Sequence, residues 1–332
     1  MKISASIYST SRNLKEVIAD LDAHRIDLFH VDCNDDPNVF GDIEKIRQWS
    51  KTPVDLHIIS STPEKYFPLL EKTPVDYVTF QYENLTGKLE IPSTIKGRLG
   101  LAITAVSDID VFDAYADRFD FILMMATIPG KSGGEFNKDI FRKIRTFKKK
   151  YPEKRIHVDG GVNGEVSFIL RNMGVYASVS GSYLFKDVTV GAALLNLKTH
   201  EHESHFLVKD FMDEDVPVLK PGERSFGNVL KKIEEYALGF AVLTGADGKM
   251  EGIISNADVR KGLLKNIGHL DSITENDITN RTPVTVNENA TVVELLRLIK
   301  SKKFPITYLP VVNNENKATG VLTFFNLVKG EA

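Results

Sequence analysis

Strand-like and helix-like runs alternate through roughly the first 200 residues, and this alternation limits the available folds more than any other feature. Short β-rich runs fall at Ile3–Tyr8, Asp27–Cys33, Val54–Ile59, Tyr77–Phe80, Arg98–Ile103, Phe119–Met125, Arg155–Asp159 and Ala177–Ser180. Helix-like stretches between them include Asn13–His24, Gly41–Ser50, Val106–Tyr115, Lys138–Lys150, Gly164–Met173 and Val188–Lys198. Such alternation is the signature of parallel βαβ units. Eight units in about 200 residues is the compact end of the (β/α)8 TIM barrel range. A doubly wound open sheet is the competing α/β fold, but it usually has fewer strands, and no GxGxxG follows the first strand.

The polar segment Thr199–His205 breaks the pattern. It divides a barrel over residues 1–198 from a second domain over 206–332, with 199–205 as linker. His200, His202 and His205 in that segment would have to be ordered before they chelated an ion, which costs entropy, so it reads as a solvated linker. Two similar α+β halves follow. The first has a helix at Phe226–Tyr236, a strand at Phe240–Thr244, a turn at Ala246–Gly248, a strand at Gly252–Ser255 and a helix from Asp258. The second has a helix at Val292–Ser301, a strand at Tyr308–Val312, a polar turn at Asn313–Asn316 and a strand at Gly320–Thr323. Two copies of one unit suggest a pseudo-symmetric pair.

Lys plus Arg number 42 against 45 Asp plus Glu, a net charge of −3. That balance offers no field to attract nucleic acid or an anionic membrane. The single cysteine, Cys33, excludes an internal disulfide framework and fits a reducing compartment. No apolar run approaches the roughly 18 residues of a spanning helix, and the N-terminus lacks the apolar segment of a signal peptide. A cytoplasmic protein is expected.

Side chains alternate across a strand, so His30, Asp32 and Asn34 share one face of the second run and Phe29, Val31 and Cys33 the other. In a barrel the polar set points inward near the strand's C-terminal end, where barrel enzymes keep their chemistry. Cys33 then reads as a buried core thiol. The third run carries Asp55 and His57 on one face, and the seventh His157 and Asp159, followed by Gly160-Gly161. Histidines and aspartates at the ends of three barrel strands suit a mixed nitrogen–oxygen divalent metal site.

The blocks KISASIYS, HVDCND, DLHIIS, MMATIPGKSGGEF and HVDGGV, in this order and spacing, resemble those of the ribulose-phosphate 3-epimerase family over about residues 1–198. The resemblance implies one divalent ion (Zn, Fe, Mn or Co) held by His30, Asp32, His57 and Asp159. Asp32 and Asp159 would also be the catalytic acid–base pair that inverts a carbon beside a ketone. It further implies that Ser6 contacts a phosphorylated sugar and that Pro129–Gly134, with Gly130, forms a flap. Phosphate would meet backbone amides at Gly160, Gly161, Gly181 and Ser182, where barrels commonly bind it. Gly130-Lys131-Ser132 is no Walker A loop, because the earlier glycine would fall at Met125. Asn34 stands where the DxKxxD pattern of orotidine-monophosphate decarboxylase and hexulose-phosphate synthase relatives has lysine, so that chemistry is discounted. The chain departs from the epimerase pattern at Asn34, at Ile59 and in the flap at Lys131. These changes leave the ordinary substrate or a different sugar phosphate both open.

The C-terminal repeat resembles a cystathionine-β-synthase (CBS) domain pair through Gly252–Asp258 and Gly320–Asn326. The resemblance implies an adenine or other nucleotide as effector at Ser255, Asp258, Thr323 and Asn326. A hydroxyl three residues before Asp or Asn is also a plain helix cap. The combination is similar to bacterial arabinose-5-phosphate isomerases, in which a sugar-phosphate isomerase domain of another fold precedes a CBS pair; that likeness points to a surface-glycan pathway. Together these implications describe a nucleotide-regulated sugar-phosphate 3-epimerase that forms a homo-oligomer. The rival is a non-catalytic nucleotide sensor with a relict barrel, and an idle site has no need of four ligands.

Overall fold

The computed structural model of the chain describes residues 1–131, 133–186, 189–198, 205–304 and 306–324. These fall into two compact units, one over the described residues up to 198 and one over those from 205 onward. His200, His202, Ser132 and Asn326 lie outside the described residues.

The first unit is a closed barrel of eight parallel strands in sequence order. They are β1 (Lys2–Ser6), β2 (Leu28–Asn34), β3 (Val54–Ile59), β4 (Tyr77–Gln81), β5 (Arg98–Thr104), β6 (Phe121–Met125), β7 (Arg155–Asp159) and β8 (Ala177–Ser180). The barrel closes where Ser4 of β1 pairs with Val179 of β8. Outward apolar residues such as Val31, Cys33 and Leu56 are fully buried. The helix Asp139–Lys150 shows why: its Ile140, Phe141, Ile144 and Phe147 recur at helical spacing and pack inward, while Arg142, Lys148, Lys149 and Lys150 stay outside. Burial pushes the Cys33 thiol pKa up, as befits a core thiol.

Two connections differ from eight uniform strand–helix repeats. The stretch expected as a helix over Val106–Tyr115 is a 3₁₀ helix over Ile109–Tyr115. The side chain of Asp108 accepts from the Asp110 amide and starts the coil there, while Val106 stays 90% exposed with nothing to bury it. Between β4 and β5 the chain makes only a 3₁₀ turn, Tyr82–Asn84, followed by a loop through Gly87, Pro92 and Gly97. Those residues break helices and no apolar periodicity opposes them.

The second unit contains two three-stranded sheets with the same pattern. In one, β9 (Val218–Leu219) pairs in parallel with β10 (Phe240–Thr244), which pairs antiparallel with β11 (Met250–Ser255). In the other, β12 (Val286–Asn287) pairs in parallel with β13 (Tyr308–Val312), which pairs antiparallel with β14 (Ala318–Thr323). The ladder shifts register at matching points, Leu243/Thr244 and Val311/Val312. Phe240 and Tyr308, the first residues of matching strands, stack at 4.1 Å. Phe240, Val242, Ile253, Val312 and Val321 form one core, so the halves are a single pseudo-symmetric body.

Candidate active site

Strand register assembles the polar residues of the barrel mouth. Asp32 of β2 lies beside His57 of β3, and one layer below, His30 lies beside Asp55. Asp159 ends β7. The structure brings His30, Asp32, His57 and Asp159 together, with one ligand atom from each within 4.8 Å of the others. Asp32 Oδ1 is 3.3 Å from His30 Nε2 and 3.4 Å from His57 Nδ1, and Asp159 Oδ2 is 3.8 Å from His30 Nε2. Both histidines are fully buried.

The donor set of two imidazole nitrogens and two carboxylate oxygens fits a divalent transition ion. His57 Nδ1 adds a second sign, being a buried nitrogen aimed at the cluster without a hydrogen-bond partner. Among the protein groups alone, burial works to keep His30 neutral, but Asp32 and Asp55 on either side push its pKa well up. Burial likewise opposes ionisation of Asp32, yet His30 and His57 hold its carboxyl far below the usual range. Asp159 is pushed the other way, up to about 6, by burial reinforced by Asp32 and Asp55. Two carboxylates with pKa values driven apart are suited to opposite roles in proton transfer.

Beside this cluster lies a cavity of about 230 Å³. Ser6, Gly130, Gly160, Gly161, Gly181 and Ser182, the residues singled out in the sequence for substrate, all line it, together with Asp159. The Gly160-Gly161 turn is wedged against the backbone at Thr127 and at Phe136. A Cβ on Gly160 would lie 2.7 Å from the Thr127 amide nitrogen, and one on Gly161 would lie 2.6 Å from that of Phe136. Two of the three departures from the family pattern, Asn34 and Lys131, also meet here. Asn34 Nδ2 donates to the Gly130 carbonyl at 3.4 Å, and Lys131 lines the cavity.

Sequence reasoning missed three parts of this region. Thr127, Asn163 and Lys186 line the cavity from loop and helix positions without a strand-end signal. Gln81 and Glu83 contact the back of His57 through Gln81 Oε1, 2.9 Å from His57 Nε2. A polar residue at the C-terminal end of β4 was the available sign. Asp55, noted only for its face, lies 3.0 Å from His30 Nδ1.

In the second unit, Ser255 ends β11 and caps the helix Asn256–Lys265. Its Oγ accepts from the Asp258 amide at 3.2 Å and donates to Asp258 Oδ2 at 2.5 Å. Ser255 and Asp258 are thus brought together, as a reciprocal capping box. Thr323 occupies the matching last position of β14. No helix among the described residues is long and apolar enough to cross a membrane.

The model of the ribulose-phosphate 3-epimerase family matches residues 2–185, and that of the CBS domain matches residues 208–265 and 276–331. A protein of Methanocaldococcus jannaschii named ribulose-phosphate 3-epimerase is 29% identical over 64% of this chain and 95% of its own length. The Bacillus subtilis protein of that name is 26% identical over 56% of this chain and 92% of its own. The arabinose 5-phosphate isomerase KpsF of Escherichia coli is 32% identical over 36% of this chain and 35% of its own length. Among solved structures, the CBS-pair protein CBSX2 of Arabidopsis thaliana aligns with 39% of this chain and 95% of its own at 24% identity, with a TM-score of 0.32. From the eight-stranded barrel, the four residues clustered at its mouth and the match over more than half its length, the chain belongs to the ribulose-phosphate 3-epimerase family of isomerases and carries a CBS domain pair after the barrel.

Proposed function

We propose that the barrel interconverts ribulose 5-phosphate and xylulose 5-phosphate by epimerisation at C3, with one divalent ion held by His30, Asp32, His57 and Asp159. The observation that carries this is the convergence of those four ligand atoms within 4.8 Å at the C-terminal mouth of the strands. When bound, a divalent ion supplies electrostatic stabilisation for the negative charge that develops on the sugar oxygens. The rest falls to the chain. Asp32 takes the C3 proton, and Asp159, facing it across the mouth, returns one to the opposite face. The two stand on β2 and β7, on different walls of the mouth. In the reverse direction the roles exchange. The Gly160-Gly161 and Gly181-Ser182 amides bind the phosphate beside Ser6, and the flap around Gly130 excludes water.

The test is a coupled epimerase assay on the full chain. Activity should vanish on chelation and return with Zn, Fe, Mn or Co. A chain that binds one of these ions but leaves both pentulose phosphates unchanged would overturn the substrate assignment.

The same reading takes the domain boundary at residues 199–205 and assigns the second unit to nucleotide regulation. Ser255 and Asp258, and Thr323 in the matching half, would meet ribose hydroxyls at strand ends that open onto helices. A ribose would exchange with the Ser255–Asp258 hydrogen bond already present. A thermal-shift screen of adenine nucleotides separates this from a purely structural cap.

A further inference from the structure

Each histidine of the cluster presents a different ring nitrogen to the centre, Nε2 of His30 and Nδ1 of His57. A neutral imidazole has one bare nitrogen, and only that one can ligate a cation. The two rings therefore need opposite tautomers, and the outer neighbours decide them.

For His57 the decision passes through two side chains. Gln81 Oε1 or Nε2 could face the ring, and the far end of the amide settles which. It lies 2.5 Å from Glu83 Oε2 and 3.4 Å from the Ala102 carbonyl oxygen, both acceptors only. The amide NH₂ must point there, so its oxygen faces His57 Nε2. His57 then donates from Nε2 and keeps Nδ1 bare. Glu83 is itself pinned. Its Oε1 accepts from the Thr104 amide at 2.7 Å, the Thr104 hydroxyl at 2.8 Å and the Ser107 hydroxyl at 2.5 Å. His30 has a shorter version: Asp55 Oδ2, 3.0 Å from Nδ1, also accepts from Ser4 Oγ at 3.1 Å.

We infer that Gln81 and Glu83 are positioning residues that hold His57 with its Nδ1 free to ligate, Glu83 setting the orientation of the Gln81 amide from the surface of the barrel. The ligating role of His57 rests on the proposed function above; the direction of the hydrogen-bond chain does not.

Glu83→Gln is the diagnostic change, because residue 83 does not touch the cluster. The oxygen of the introduced amide satisfies the Thr104 and Ser107 donors, which turns the NH₂ of that amide toward Gln81. The Gln81 amide then flips, offers its own NH₂ to His57 Nε2 and drives the ring proton to Nδ1. Two readouts apply to the full chain. Zn²⁺ affinity by chelator competition should fall about tenfold or more. Two-bond ¹H–¹⁵N spectra of the metal-stripped protein should show His57 as Nε2–H in the wild type and shifted toward Nδ1–H in E83Q. A wild-type His57 protonated at Nδ1 overturns the inference whether or not E83Q folds. A folded E83Q with unchanged tautomer and unchanged Zn²⁺ affinity overturns it too. A wild type that binds no Zn²⁺ removes the metal reading instead, and the tautomers of the metal-stripped proteins still decide the role of Gln81 and Glu83.

Discussion

Gly161→Ala tests whether the turn after β7 is a built support for the flap. Gly161 has φ +64°, in the left-handed region, where an L-side chain costs about 1–2 kcal/mol. Its Cβ would also stand 2.6 Å from the Phe136 nitrogen and 2.9 Å from the Phe136 Cα, both backbone atoms that no rotamer change can move. Forcing that contact adds about 1–3 kcal/mol by the usual cost of overpacking. The sum is about 2–5 kcal/mol, a shift of roughly 4–20 °C for a unit of this size. Gly133→Ala is the control. It has φ +82° but nothing within 4 Å of the added carbon, so it carries backbone strain alone. The assay is built into the sequence. The single tryptophan, Trp49, lies in the barrel, so its fluorescence reports barrel unfolding without a contribution from the CBS pair. G161A should melt below G133A and should raise the KM for the sugar phosphate, because the backbone at Phe136 is displaced. If the two variants melt together, the close approach of Gly161 to Phe136 is not a constraint and the wedge argument fails.

Asp32→Asn and Asp159→Asn should each lower epimerisation by about 10²–10⁴-fold. Each should still exchange the C3 proton of one epimer with solvent, since one carboxylate remains; normal turnover in either variant would sink the acid–base pairing. His157 is buried against Phe121 at 4.1 Å, and burial lowers its pKa from 6.5 to about 4. Between those values the unfolded chain binds more protons than the folded one, so this group's contribution is complete above pH 6.5 and is lost as the pH falls toward 4. Urea unfolding should therefore show wild type losing on the order of 3 kcal/mol relative to His157→Phe across that window, and parallel pH profiles would refute it. Ser255→Ala removes a capping box and should cost about 0.5–2 kcal/mol by urea unfolding of the CBS unit. It should also abolish any stabilisation by adenine nucleotide, and a retained nucleotide shift would take Ser255 out of the ligand site.

The strands were legible because their signals are local. Val54–Ile59, Arg155–Asp159 and Ala177–Ser180 are bounded by turn residues and fold as strands over those same ranges. The metal-type cluster was legible for a related reason: parallel register carries Asp32, His57 and Asp159 to one end of the barrel once the alternation of each strand is known. What stayed hidden depends on three-dimensional contact. Val106–Tyr115 has enough apolar residues to suggest an α-helix, but the Asp108 side chain captures the chain into a 3₁₀ start. Gln81 falls just past the run read as a strand over Tyr77–Phe80, and its importance arises only from the acceptors behind it. Lys186 and Asn163 reach the cavity from loops and helices, where no periodicity records direction.

The central claim is proton transfer at C3, and solvent isotope exchange reads it directly. The metal-loaded full chain would be incubated with ribulose 5-phosphate in heavy water and followed by NMR. The account predicts deuterium at C3 together with the appearance of xylulose 5-phosphate. A protein with metal bound that leaves C3 protonated contradicts it.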